Sequence, residues 1–308
     1  MLMRLIAHEH LRRYWWLEFA ATGFARQNDP ADRFEKRTRR AWARRWASHM
    51  IYVGIGGWVY PGWRDNFYPA GLAQKRELEY AAGKLTAIEI NGTYYGSQKP
   101  DSFARWHDET PDHFIFTVKG PRFATNRRVL AEAGGSIDKF FESGVTRLKK
   151  KLGPVNWQFM ATKKFDPADF AAFLALLPRK VDGIAIRHAV EVRHDSFRDR
   201  TFIRMCREHG VGVVFAADGG FPTIADVTAD FVYARIMGTK ATEKLGYPEA
   251  VLARWADRAR RWARGESPDM ELLDRAAPKK ARDVFLFVIS GAKERNPAAA
   301  QAIIAALA

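Results

Sequence analysis

Thr86-Ala87-Ile88-Glu89-Ile90-Asn91-Gly92-Thr93-Tyr94-Tyr95 is the stretch from which the fold is read. Apolar and polar residues alternate through it, the period of a strand with two unlike faces. Ala87, Glu89 and Asn91 share one face, and Ile88 and Ile90 share the other. A carboxylate in the middle of such a strand is costly to bury unless it is paired or has chemistry to perform. The same oddity recurs in later strands, which suggests a polar site at one end of a barrel.

Working outward, strands and helices alternate from Met50 onward. The pattern predicts strands over 51–56, 86–91, 113–119, 155–160, 183–193, 211–217, 231–236 and 284–289. Helical periodicity falls between most of them, over 72–83, 100–109, 136–151, 167–177, 198–209, 248–264 and 297–307. Residues 218–230 carry little helix signal. Gly120-Pro121, Gly153-Pro154 and Pro178 punctuate the joins. Alternation of this kind implies parallel strands with crossover helices. A count of eight favours a closed (β/α)₈ TIM-type barrel over a doubly wound open sheet.

Active sites of such barrels lie at the C-terminal strand ends. By parity those ends offer Glu89 and Asn91, Thr117 and Lys119, Asn156 and Gln158, Glu191 and Arg193, then Asp218, then Tyr233 and Arg235. The set holds three carboxylates (Glu89, Glu191, Asp218) and three cations (Lys119, Arg193, Arg235). One reading is a self-neutralising lattice of ion pairs that plugs the barrel mouth, since buried charges are usually paired. The other is a site for an anionic ligand with a carboxylate as acid or base. Arginine suits phosphate or carboxylate through its bidentate fork.

Aromatic residues near these ends add a stacking surface or simple loop packing. Trp58 and Tyr60 follow Gly54-Ile55-Gly56-Gly57, which lacks full dinucleotide-binding spacing. Trp63, Tyr94 and Tyr95 are the others able to stack on a base or a sugar. His188 and His194 flank strand five on its outward parity, and His194 can turn inward where the strand ends. No metal motif is evident, and no cofactor follows from the residues. Cys206 lies in a helical pattern with Phe202, Met205 and His209, as a core residue would.

The 308 residues carry a net charge of +15 and 47% hydrophobic content. Residues 1–49 hold 11 Lys and Arg against 5 Asp and Glu (net +6), and +9 remains on residues 50–308. Such a balance fits a polyanion binder or a basic, solubilising surface. A single cysteine and the absence of a spanning apolar run fit a cytoplasmic protein without a membrane partner. Residues 1–49 are expected to form a basic, partly helical extension, with Phe34, Ala41, Trp42 and Trp46 on a helical stripe, or to precede a true start at Met50. Residues 50–308 are expected to form one barrel domain.

Several stretches from Met50 to Ala308 resemble the domain-of-unknown-function 72 (YecE-like) family. They are Val53-Gly54-Ile55-Gly56-Gly57-Trp58, Phe67-Tyr68-Pro69, Ile88 to Tyr95, Thr110-Pro111-Asp112-His113-Phe114, Lys151-Leu152-Gly153-Pro154, Glu191-Val192-Arg193-His194-Asp195 and Tyr233-Ala234-Arg235. The resemblance implies a TIM-type barrel and a site address, and no settled reaction comes with it. The chain departs from the family pattern at Thr125-Asn126, at Gln158-Phe159-Met160-Ala161 and at Ile289-Ser290-Gly291. The leading expectation is a pocket for a phosphate-bearing ligand or nucleic acid. Arg193, Arg235 and Lys119 would hold the anion, with Asn91, Gln158, Tyr94, Tyr233, His194 and Trp58 around it. Glu89, Glu191 and Asp218 would be the acid–base candidates. Alternatives are a carbohydrate-active enzyme using Glu89 and Glu191 as a carboxylate pair, and a non-enzymatic polyanion-binding module.

Overall fold

The computed structural model describes residues 50–267 and 270–308. The expected N-terminal extension therefore lies outside the described residues. Among the described residues eleven strands are formed: β1 (Ile51–Gly56), β2 (Ala87–Ile90), β3 (Ile115–Lys119), β4 (Leu152–Gln158), β5 (Lys180–Val181), β6 (Ile184–Ala185), β7 (His188–Glu191), β8 (Gly212–Val213), β9 (Phe215–Ala217), β10 (Phe231–Ile236) and β11 (Asp283–Val288). Nine of them make one sheet in the order β8-β7-β4-β3-β2-β1-β11-β10-β9. Each neighbouring pair is parallel.

The two ends of that order, β8 and β9, are halves of a single stretch. Val213 pairs with Val190 of β7, and Phe215 pairs with Ala234 of β10. The sheet so closes on itself through eight staves, the sixth interrupted at Val214. Val214 N–H still donates to Val190 O at 2.9 Å, so its amide stays paired across the break. This is the TIM-type barrel that the alternation predicts.

One predicted strand is corrected. Residues 183–193 do not run as one element. Asp182 and Gly183 both have positive φ (47° and 80°) and turn β5 into β6 as a two-residue hairpin. The barrel stave starts only at His188. Residues 218–230 form no helix, as their weak signal implies.

Inward parity fills the barrel with Ala87, Ile115, Ala189, Val214, Ala216, Phe231, Tyr233, Phe285 and Phe287. Tyr52 stacks on Phe285 with centroids 5.1 Å apart. The outer helices follow local rules. Asp166 caps Pro167–Leu176 by accepting from Ala168 N and Asp169 N, and Asp199 caps Arg200–His209 the same way. Among the described residues no helix is long and apolar enough to cross a membrane.

Candidate functional site

Five of the polar strand ends meet in one buried network. Arg235, 2% exposed, reaches up from β10 between two carboxylates. Its Nη1 donates to Glu191 Oε2 at 2.5 Å and its Nη2 to Glu89 Oε1 at 3.1 Å. Tyr233, two residues earlier on the same face, donates its hydroxyl to Glu89 Oε2 at 2.6 Å and meets Thr117 Oγ1 at 2.9 Å. Glu191 is filled from the other side. Its Oε1 accepts from Gln158 Nε2 at 2.7 Å and from Arg193 Nη2 at 2.8 Å, and its Oε2 accepts from Asn156 Nδ2 at 3.2 Å.

Glu89 and Glu191 are wholly buried. Burial alone would raise the Glu191 carboxyl, but the charges of Arg235, Arg193 and Lys119 outweigh it and hold it at about 2. Burial and the Glu89 carboxylate push the Tyr233 hydroxyl up, so it stays a hydrogen-bond donor. Three cations against two carboxylates leave this cluster with an excess positive charge.

That excess faces a cavity of about 630 Å³. Lys119, Gln158, Arg193 and Arg235 form part of its lining, and Gly56, Trp58, Asn91, Tyr95, Trp106, Lys293 and Asn296 also border it. Among the described residues no acidic one belongs to the lining. Lys119 is 8% exposed, and its ammonium lies over the Tyr94 ring at 5.2 Å. Burial and Arg235 lower its proton affinity to about 8, with Glu89 and Glu191 pulling the other way. Asn91 Oδ1, Asn156 Oδ1 and Arg235 Nε are buried without a partner among the described residues. Gly56 leaves room for the amide of Asn91, since a Cβ there would lie 2.8 Å from its Nδ2.

The barrel brings most of the strand-end residues together, in arrangements that differ from those expected. Glu89 and Glu191 sit beneath the cavity and do not line it, each bonded to Arg235. One guanidinium thus stands between the two carboxylates that a carbohydrate-active enzyme would use as a pair. Tyr233 is likewise a buried support for Glu89. Tyr94 carries Lys119 on its ring and points its hydroxyl at Asn126 Oδ1, 3.4 Å away.

Asp218 and His194 are not brought into the lining. Asp218 is exposed, with a φ of 61°, and accepts from Tyr247 Oη at 3.1 Å. His194 stays outside because its Nδ1 accepts from Ser196 N at 3.1 Å and caps the short helix Asp195–Phe197. Trp58 does border the cavity, its indole edge-on to Trp106 at 5.0 Å.

Lys293, Asn296 and Trp106 were missed. Lys293 and Asn296 follow β11, where the apolar Ile289 and the Ser290-Gly291 turn gave no polar signal. Trp106 belongs to the helix Pro100–Asp108 and reaches the cavity only through tertiary packing. Among the described residues no group of three or more His, Cys, Asp or Glu side chains is arranged to hold a metal ion.

Comparison with known proteins places the fold and the lineage. UPF0759 protein YecE of Escherichia coli K12 is 29% identical over 173 residues, which is 54% of this chain and 58% of YecE. UPF0759 protein YunF of Bacillus subtilis is 33% identical over 115 residues, 36% of this chain and 40% of YunF. The chain thus spans less than two thirds of the length of the curated relatives it matches. A crystal structure of a DUF72 family protein from Thermotoga maritima superposes with a TM-score of 0.64 at 23% identity, covering 83% of this chain and 98% of that one. The family described as "Protein of unknown function DUF72" matches residues 52–308. With the barrel and its polar mouth in view, the chain belongs to the DUF72 family.

Proposed function

We propose that the cavity at the C-terminal strand ends binds a phosphate-bearing ligand. One observation carries this reading: among the described residues each formally charged side chain lining the cavity is a cation, namely Lys119, Arg193, Arg235 and Lys293. Glu89 and Glu191 serve that arrangement from below. They hold the guanidinium groups in place, and Glu191 at about 2 has no proton to give near neutrality. Arg193 is the residue through which the ligand is best recognised, since its side chain is 24% exposed and rests over the Phe221 ring at 4.3 Å. A nucleic-acid strand presents the same phosphate chemistry, and the net charge of +15 would draw it in.

Calorimetric titration of the full chain with inorganic pyrophosphate, a mononucleotide, single-stranded DNA and a neutral sugar tests the reading. The phosphate-bearing probes should bind and the neutral sugar should not. Arg193→Met should weaken binding roughly tenfold or more, the scale of one charge-assisted contact. Equal binding of the neutral sugar, or no binding of any phosphate, would overturn it.

A further inference from the structure

We infer that Lys119 is a nucleophilic amine that forms an imine with the carbonyl carbon of an anionic aldehyde or ketone held in the cavity. The anionic half of that ligand rests on the reading above, while the amine chemistry rests on Lys119 alone.

The cations at the cavity floor are not equivalent. Arg235 and Arg193 are bonded to Glu191, Arg235 also to Glu89, and a guanidinium does not lose its proton in a protein. Lys119 has no such bond: among the described residues its ammonium makes no hydrogen bond and no ion pair, only the ring contact with Tyr94. A second buried lysine in the same fold shows the contrast. Lys151, 2% exposed, donates to the carbonyls of His107 and Thr110 and to the Thr110 hydroxyl at 3.2 Å. That lysine has its donors filled, as a structural ammonium must. Lys119 is buried nearly as deeply, borders open space, and is left without acceptors.

Its backbone is well anchored. Lys119 ends β3 opposite Asn156 of β4, and its carbonyl accepts from Thr93 Oγ1 at 2.6 Å. The charged and titratable groups around its side chain are Glu89 from β2, Tyr94 from the turn of helix after β2, Arg235 from β10, and Glu191 and Arg193 from the end of β7. Burial and Arg235 favour the neutral amine, the two carboxylates oppose it, and the balance lies at about 8 against an ordinary 10.5. Desolvation beside another cation is a recognised way to make a lysine nucleophilic.

The step balances without a co-reactant. The nitrogen lone pair attacks the carbonyl carbon and forms the C–N bond, and the C=O pair moves to oxygen. Oxygen takes the proton that nitrogen sheds, giving a carbinolamine. That hydroxyl then leaves with the second nitrogen proton as water, and the C=N bond forms. The cavity, at about 630 Å³, has room for a small phosphorylated or carboxylated carbonyl compound.

The test treats the full chain with pyridoxal 5′-phosphate, an aldehyde that carries a phosphate, then reduces with borohydride and maps the modified peptides. Lys119 should be labelled about tenfold or more faster than any exposed lysine. Its rate should rise with a midpoint near pH 8 and level off above it, and inorganic phosphate should slow it. Labelling of surface lysines with Lys119 unmodified would overturn the inference, as would a Lys119 rate that climbs with pH as theirs does. Mapping on the native chain keeps the test independent of whether Lys119→Met folds.

Pyridoxal without its phosphate separates the two readings. If it labels Lys119 as fast, the amine stands and the anion site falls. If pyrophosphate binds by calorimetry and Lys119 stays unlabelled, the anion site stands and the amine falls.

Discussion

Arg235 bridges two buried carboxylates with one guanidinium, and this makes it a folding residue before it is a binding one. Arg235→Met should leave Glu89 and Glu191 buried with fewer counter-charges and cost about 3–5 kcal/mol in urea denaturation, the range for breaking a buried pair. Arg193→Met, at the cavity edge, should cost far less stability while weakening anion binding. The pair of variants separates the two roles, and similar stability losses in both would refute the division. Glu191 makes a pH prediction. Its folded value of about 2 lies below the ordinary 4.5, so it adds stability above pH 4.5 that is lost as the pH falls toward 2. Acid titration of the melting temperature should show that loss in the native chain and less of it in Glu191→Gln. Strand parity made Glu89, Lys119, Glu191 and Arg235 legible in the sequence, because alternation alone sends them inward. Their partners were not legible, because residues 144 positions apart, such as Tyr233 and Glu89, meet only through barrel closure.

At the level of elements, β1 and β2 lie so close that Gly54 has no room for a side chain. A Cβ there would stand 1.9 Å from Ala87 O on the neighbouring strand. Backbone must move to relieve such a clash, so Gly54→Ala should destabilise the barrel by several kcal/mol, roughly the cost of a badly overpacked core. Circular dichroism melts would measure it, and an unchanged melting temperature would sink the argument. Strand positions were readable because inward and outward faces differ in polarity along β2, β3 and β10. Two elements were read less well for local reasons. The Asp182-Gly183 turn stands where the predicted strand was to begin, and its apolar sequel Ile184-Ala185-Ile186 reads as strand on either side of the hairpin. The helix predicted over 136–151 is a helix over Gly134–Glu142 followed by a 3₁₀ segment, because Gly144 takes a φ of 89° that ends the first.

For the whole molecule, the described cavity-lining residues fall between Gly56 and Asn296. A chain starting at Met50 should therefore keep the pyrophosphate affinity of the full chain, measured side by side. Nucleic-acid binding should behave differently. It should fall steeply with salt in both chains, and more steeply in the full chain, which carries a further net +6 on residues 1–49. Equal salt slopes would place none of the polyanion contact on those residues. Overall charge was plain from composition, but its placement was not. Positive side chains line the cavity while Glu89 and Glu191 lie beneath, and composition cannot distinguish that from a neutral mouth.

What the residues declare in order is the repeating strand and helix, and with it the barrel and the end where its polar groups gather. Periodicity is a local property, so it survives in one dimension. What needed folding in three dimensions is the assignment of partners. The sequence offered three carboxylates and three cations at the strand ends. Closure buried Glu89 and Glu191 under Arg235, left Asp218 exposed, and held Lys119 against Tyr94 without a carboxylate bonded to it. Those outcomes depend on distances between strands far apart in the chain, and burial then turns each distance into a charge state.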